Sequence, residues 1–372
     1  MGEPLTLARP RPATPAIATR PGRTSTAFFV LALATAAYTG FRLPGAWVAT
    51  LDTVSVTDGF HRRFLVGTLL NPLAVATGYD YWVFAVAGFA VLAALLVVLT
   101  VAFVRARQES RRVVIIAWLL LPTGGFFFHE VGYYEQVLYL LLSGALWLLP
   151  RRPAVATVLM TAAVLAHELA LLTVLPIFVM VLLRRFPFRQ AVGWAAPPLL
   201  VELVVLAIPA SAPGSVDRLR AALGTANFPI RIDALALFGR TQSQSWQLYS
   251  ITDVLLFVVP IAVVVLAGFL MLHGRGRPIA VVSQAAAIGA PALLAFAGWD
   301  GARWGFLLVT NFAVVLWLGK REFSGRQLVV LGATLLILTH MPLPYFDRYS
   351  PRELSWQGFE TVDQSLFRIP VV

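Results

Sequence analysis

The chain has 372 residues, of which 59% are hydrophobic and only 13% charged, and its 29 basic and 18 acidic residues give a net charge of +11. These proportions leave too little polar surface to cover a globule in water, so they exclude an ordinary soluble domain and indicate a lipid environment. The chain contains no cysteine, which excludes disulfide bonds and thiolate metal sites.

Apolar runs long enough to cross about 30 Å of hydrocarbon recur along the chain. We therefore predict an all-α, polytopic membrane protein with about eleven transmembrane helices in one domain, residues 25–340. Residues 1–24, rich in Pro and Arg, are predicted to form a disordered cytoplasmic tail. In chain order, the predicted spans are residues 25–38, 81–104, 113–128, 137–150, two short helices within 154–183, 191–208, 251–272, 279–297, 306–318 and 328–340.

Basic residues are concentrated in alternate connections between these spans. Those connections hold 18 of the 29 basic residues but only three of the acids, Glu3, Glu109 and Glu322. The positive-inside rule therefore places them, and the N-terminus, in the cytoplasm. The opposite face receives the first outer loop (41–80), a long outer loop (209–250, with a short interfacial helix at 216–223) and a C-terminal tail (341–372). The 18 basic residues are Arg9, Arg11, Arg20, Arg23, Arg105, Arg107, Arg111, Arg112, Arg151, Arg152, Arg184, Arg185, Arg189, Arg275, Arg277, Lys320, Arg321 and Arg326.

The first outer loop contains one acid followed closely by three basic side chains: Asp58, His61, Arg62 and Arg63. Guanidinium groups bind phosphate oxygens in pairs, and a carboxylate beside them suits a general base. Equally, the two arginines suit an interfacial anchor, with Asp58 as the N-cap of the helix that follows.

The second outer turn carries His129, Glu130, Tyr133 and Glu135. Charge this close to the end of a span is costly unless it is used, which favours a functional site. A plain turn within an aromatic belt accounts for the tyrosine equally well.

His167 and Glu168 repeat the His-Glu pair inside an otherwise apolar segment, at the predicted turn between two short helices. Ionisable groups in such surroundings mark functional sites by default, although a neutral pair packed against backbone is the alternative. Asp300 and Arg303, between two tryptophans, suit either an anionic ligand or an internal salt bridge. Glu202 is a weaker candidate because it stands alone in its span.

These motifs define the predicted site on the outer face. The predicted catalytic residues are Asp58, His129, Glu130, His167 and Glu168, and the predicted substrate-binding residues are His61, Arg62, Arg63, Tyr133, Asp300 and Arg303. No recognised metal-ligand spacing is present, so a divalent cation is possible but not indicated.

This layout resembles the GT-C class of membrane glycosyltransferases, which take sugars from polyprenyl-phosphate carriers on the outer face of the membrane. The resemblance is architectural and most specific up to Pro150. It implies that Asp58, with Asp52 as second choice, is the catalytic base, that Glu130 or Glu135 assists, and that Arg62, Arg63 or Arg303 binds the carrier phosphate. The chain departs from that class in having no Asp-x-Asp pair and no large C-terminal domain.

The resemblance implies a plasma-membrane enzyme with a polyprenyl-phosphate sugar donor, a glycan, lipid or protein acceptor, and no nucleic-acid partner. A transporter or lipid flippase would also use intramembrane acids and histidines, as a proton relay. Such proteins place their sites near the midplane between paired halves, whereas the polar groups here are predicted to lie on one face. A non-catalytic envelope-assembly protein is the third alternative.

Overall fold

The computed structural model describes residues 21–236, 261–268, 278–298 and 300–319, together with isolated positions between 243 and 334. Within these residues the protein is helical and has no β-strand, and His61 and Ser211 form an isolated antiparallel bridge. The predicted tail 341–372, most of the spans 251–272 and 328–340, and nearly all of 237–250 and 1–24 lie outside the described residues.

Most helices follow the predicted apolar runs, but the predicted first outer loop is itself largely helical, at Ala46–Asp52 and Phe64–Ala76. Short 3-10 turns occur at Val56–Asp58, Glu168–Leu171, Leu223–Thr225 and Ala290–Leu293. Residues 261–268 are also helical. The α-helices are α1 (Arg23–Gly40), α2 (Ala46–Asp52), α3 (Phe64–Ala76), α4 (Tyr81–Arg105), α5 (Glu109–Leu120), α6 (Pro122–His129), α7 (Tyr134–Leu148), α8 (Pro153–Ala166), α9 (Val174–Arg185), α10 (Phe188–Ala207), α11 (Ser215–Ala222), α12 (Ile232–Ala236), α13 (Pro278–Gly289), α14 (Leu294–Ala297) and α15 (Gly301–Leu318).

Three helical segments in the described residues are long and apolar enough to cross a bilayer: α4, α10 and Pro278–Phe296, which joins α13 to α14. The pair α5 and α6 qualifies as a fourth if its 64° bend is counted as a break within one span. Their outward faces are apolar, as shown by Val86 and Val97 of α4, each 62% exposed. In water these side chains would be costly to expose, whereas lipid accommodates them.

Two helices break where the sequence requires it. Pro122 has no backbone N–H and holds Leu121 in an extended conformation, so α5 ends there and α6 begins in a new direction. The predicted turn at His167 and Glu168 is present: His167 is extended, and its Nδ1 accepts a hydrogen bond from the Leu169 N–H at 3.0 Å. At the end of α6 and at the break at His167, polar side chains are placed where helices end.

Helix packing brings the end of α6 and the break at His167 to one end of the bundle, where α1 ends and α4 begins. α1 packs against α5 and α6, α7 against α8, and α8 against α10. A second apolar core covers this end, where α2 packs under residues of the 210–236 segment, including Leu219 and Phe228. The rings of Tyr81 and Phe84, at the start of α4, contact Phe228 edge-on.

Candidate functional site

Ionisable side chains from four separate parts of the chain meet at this end of the bundle. They come from the loop before α4, the turn between α6 and α7, the break between α8 and α9, and the start of α15. Although they lie far apart in sequence, their charges interact directly or through one intermediate residue. We call the following set the polar cluster: Arg42, Asp52, Arg63, Glu130, Tyr134, Glu135, His167, Glu168, Asp300 and Arg303.

Arg63 and Glu168 form one half of the polar cluster. The Arg63 Nε lies 2.9 and 3.0 Å from the two carboxylate oxygens of Glu168, and a terminal guanidinium nitrogen also donates to this carboxylate. Arg63 holds the left-handed backbone conformation (φ 66°, ψ 21°), which is uncommon for a residue with a side chain and typical of functional sites. Burial alone would raise the pKa of Glu168, but Arg63 and then His167 bring it well below its usual range. Glu168 is therefore ionised.

Arg303 and Glu135 form a second ion pair, in which the Glu135 side chain is buried and the Arg303 side chain is partly buried. Asp300 lies 3.7 Å from the same guanidinium group and accepts a hydrogen bond from the Arg303 N–H at the start of α15. The guanidinium carbon lies 4.9 Å from the centre of the Tyr133 ring, which is cation–π geometry. The predicted internal salt bridge between Asp300 and Arg303 is present, but Arg303 also reaches a second helix.

Glu130 lies beside this second pair. Its carboxylate is 3.7 Å from Arg42 and 3.6 Å from the His129 Nε2, and the Arg42 Nε donates to the His129 carbonyl oxygen at 3.0 Å. The pKa of Glu130 is raised to about 8, chiefly by burial and further by the negative charge of Glu135. The positive charges of Arg303 and Arg42 lower it in part. Glu130 is therefore largely protonated at neutral pH.

Consecutive residues of α7 join the two halves. The Tyr134 ring meets the His167 ring edge-on at 5.6 Å, while Glu135 pairs with Arg303 on the other side. The like charges of Arg63 and Arg303 are close enough to repel each other. The polar cluster is therefore one continuous site rather than two.

Asp52, at the end of α2, is the acid of the first loop that reaches the polar cluster. Its side chain is buried, and the nearby Tyr134 hydroxyl donates its hydrogen bond to the adjacent Leu51 carbonyl oxygen at 2.7 Å. Burial raises the pKa of Asp52 well above its usual range, although the nearby Tyr134 hydroxyl opposes this.

The other residues of the first-loop motif lie elsewhere. The Asp58 carbonyl oxygen accepts a hydrogen bond from the Arg218 Nε at 2.9 Å. Burial raises the pKa of the Asp58 carboxyl, although the positive charge of Arg218 nearby lowers it in part. His61 forms the backbone bridge to Ser211. The alternative that Asp58 caps the next helix is wrong, because α3 begins after Arg63 and has no side-chain cap.

Arg62 stabilises the end of α10 rather than lining the polar cluster. Its guanidinium group donates to the carbonyl oxygens of Val205, Leu206 and Ile208 at 2.8–3.1 Å. These are among the carbonyls that a helix leaves unsatisfied at its C-terminus. This finding favours the structural alternative for Arg62 and the functional one for Arg63.

The polar cluster contains Asp52, the second choice for the base, and also Arg42 and Tyr134, which the sequence analysis did not select. The available signal for Asp52 was an acid at the end of the apolar run 46–51. Among the described residues, no group of three or more His, Asp or Glu side chains is arranged to hold a metal ion.

No protein-family model, curated protein or solved structure matches this chain. The functional argument therefore depends on the polar cluster itself.

Proposed function

We propose that this chain is a multi-pass plasma-membrane glycosyltransferase that moves a sugar from a polyprenyl-phosphate carrier to a glycan, lipid or protein acceptor on the outer face. The observation that carries the proposal is the polar cluster, in which two partly buried guanidinium groups and several acids converge at one end of an apolar helical bundle. About eleven spans with a cytoplasmic N-terminus, as the distribution of arginine favours, would place this end outside.

Arg63 and Arg303 are suited to the carrier phosphate. Each guanidinium group already binds a carboxylate, and Arg63 does so bidentately, which is the geometry that it also offers to phosphate. Because the two like charges are close together, a phosphate group bridging them would relieve their repulsion. Such contacts would stabilise the charge that develops on the leaving phosphate.

Asp52 is the acid best placed as general base. The acceptor hydroxyl would attack the anomeric carbon, its proton would pass to the Asp52 carboxylate, and the bond from the anomeric carbon to the phosphate oxygen would break. A raised pKa makes Asp52 a stronger base, provided that it is ionised when the acceptor binds. The transfer rate should therefore rise with pH as Asp52 ionises. Burial and contact with Tyr134 favour Asp52 over Asp58 for this role.

The matched variants Asp52→Asn and Asp58→Asn test this assignment. We expect Asp52→Asn to lower the transfer rate at least about 100-fold, which is typical for loss of a general base. Asp58→Asn should retain most of the activity. The assay uses the purified chain in lipid nanodiscs with a panel of polyprenyl-phosphate sugars and acceptors, and gel filtration checks folding.

Two results would contradict the proposal at different levels. Full transfer by Asp52→Asn would remove Asp52 as the base. Absence of transfer by the wild-type protein with every donor and acceptor would reject the enzyme class.

A flippase for a polyprenyl-phosphate lipid is the second candidate. The observation that favours it is Glu202, a buried acid within α10, because acids inside membrane helices often carry protons in transporters. Lipid movement across vesicle bilayers without sugar transfer would support this function over the first.

A further inference from the structure

The first turn of α7 lies between the two halves of the polar cluster. Tyr134, Glu135 and Gln136 are consecutive and buried, and successive residues of an α-helix point about 100° apart, so each side chain reaches a different element. Glu135 pairs with Arg303 of α15, and the Gln136 Nε2 donates to the Phe127 carbonyl oxygen of α6 at 2.7 Å. Tyr134 contacts both α2 and the break after α8.

The hydroxyl group of Tyr134 holds the end of α2. It donates to the Leu51 carbonyl oxygen at 2.7 Å, and both residues are buried. Carbonyl groups at the C-terminus of a helix lack a regular helical partner, so a donor from another helix can fix their position. Asp52 is the next residue and the last of α2. The hydrogen bond therefore fixes the backbone from which the Asp52 carboxyl group extends.

The ring of Tyr134 contacts the other half of the polar cluster. Its centre lies 5.6 Å from the centre of the His167 ring, and the two rings meet edge-on at 70°. This geometry is favourable for aromatic rings and restricts the orientation of the imidazole. The His167 Nδ1 lies 3.2 Å from a carboxylate oxygen of Glu168, which in turn accepts from the Arg63 Nε. Tyr134 therefore reaches Arg63 through two intermediate residues.

These two contacts serve different parts of the proposed reaction. Asp52 is the proposed general base, and Arg63 is a proposed ligand of the carrier phosphate. Misplacement of a reacting group by about 1 Å can lower a rate about 100-fold, because the proton must pass between groups within hydrogen-bond reach. A side chain that contacts the supports of both groups therefore determines their relative position.

We propose that Tyr134 is a positioning residue of the polar cluster. Its hydroxyl group sets the position of Asp52, and its ring sets the position of Arg63 through the break after α8. Tyr134 acts through these residues rather than on the substrate. This inference rests on the proposed function for the roles of Asp52 and Arg63. It predicts two separable defects, one for each part of the tyrosine side chain.

The variant Tyr134→Phe tests the hydroxyl group, because phenylalanine keeps the ring but loses the hydrogen bond to α2. We expect kcat for sugar transfer in nanodiscs to fall about tenfold, with KM for the polyprenyl-phosphate donor within about twofold of wild type. The matched control is Tyr139→Phe, which removes a hydroxyl group of the same helix that donates to the Asn311 side-chain oxygen at 2.7 Å, outside the polar cluster. The control should lower the melting temperature to a similar extent and leave kcat and KM unchanged.

The variant Tyr134→Leu tests the ring. Leucine removes the edge-on contact with His167 as well as the hydroxyl group. We expect KM for the donor to rise roughly two- to tenfold, which corresponds to the energy of one such ring pair, in addition to the fall in kcat. Recovery of the wild-type KM in Tyr134→Phe would then assign the donor defect to the ring. A wild-type KM in Tyr134→Leu would overturn this half of the proposal.

A double variant separates the positioning of Asp52 from a general packing defect. If the hydroxyl group acts through Asp52, adding Tyr134→Phe to Asp52→Asn should leave the residual transfer rate nearly unchanged. A packing defect would instead lower the rate by the same factor in both backgrounds. That result, or a wild-type kcat in Tyr134→Phe, would overturn the role of the hydroxyl group and leave the proposed function in place. Absence of transfer by the wild-type protein would overturn both.

Discussion

Glu130 shows how a single buried acid makes this protein sensitive to pH. In the folded protein its pKa is raised from 4.5 to about 8, chiefly by burial. Between these two values the folded chain keeps a proton that the unfolded chain loses, so the contribution of Glu130 to stability is fully present below 4.5 and is lost as pH rises through about 8.

The prediction at this site concerns thermal unfolding. The melting temperature of the wild-type protein should fall by about 5 °C more than that of Glu130→Gln between about pH 5 and pH 9, because glutamine cannot ionise. Differential scanning fluorimetry in nanodiscs measures both profiles, with Asp217→Asn as the exposed control. Parallel profiles for wild type and Glu130→Gln would show that Glu130 is already ionised near pH 5.

The residues of the first loop also show what the sequence cannot reveal. The composition of the motif indicates phosphate binding for all of its cations. The direction of each side chain, however, is determined by contacts with residues far away in the sequence. Arg62 is drawn to carbonyl groups more than 140 residues away, and Arg63 to Glu168. Asp52 enters the polar cluster because α2 is buried under the 210–236 segment. Such tertiary contacts leave no local pattern, so they could not be predicted from one sequence.

At the scale of the helix, the apolar runs predicted well which segments are helical, but they predicted poorly the directions in which the helices run. The predicted span 81–104 corresponds to α4, and the break at His167 was expected from the length of its segment. The predicted single span 113–128 is instead the bent pair α5 and α6, because Pro122 ends the first helix. Hydrophobicity determines which residues avoid water, whereas backbone restrictions at proline determine where the helix turns.

The contact between α1 and α6 gives a test at this scale. A Cβ atom added to Gly40 would lie 1.8 Å from the Gly125 carbonyl oxygen, so the two helices must separate to admit it. We expect Gly40→Ala to destabilise the protein by roughly 3 kcal/mol or more, as overpacking against rigid backbone does. In contrast, Gly193→Ala, within α10 and with nothing within 4 Å, should stabilise it by about 0.5–1 kcal/mol. Unfolding midpoints of the two variants in detergent measure the difference, and equal midpoints would contradict the close approach of α1 and α6.

For the whole molecule, the distribution of charge along the sequence and the packing of the helices both group the candidate acids together. The arginine-rich connections were assigned to one face by charge alone, and the candidate acids and histidines were left to the other. The structure then gathers Glu130, Glu168 and Asp300 with three arginines, Arg42, Arg63 and Arg303, at one end of the bundle. Sequence charge patterning could predict this shared end, because membrane topology sorts residues by loop before any side chain packs. It could not predict which of them pair.

This arrangement predicts opposite accessibility for the two ends of the bundle. Because the chain has no cysteine, single exposed positions can be labelled without background. Thr57→Cys and Asp217→Cys, at the same end of the bundle as the polar cluster, should react with a membrane-impermeant maleimide in intact cells. Ala154→Cys and Gln190→Cys lie at the arginine-rich end and leave every arginine in place, so they should react only after the membrane is opened. Labelling of all four in intact cells would contradict the topology, and labelling of only the second pair would invert it. An inverted protein would place the polar cluster on the cytoplasmic side, where the proposed outer-face reaction could not take place.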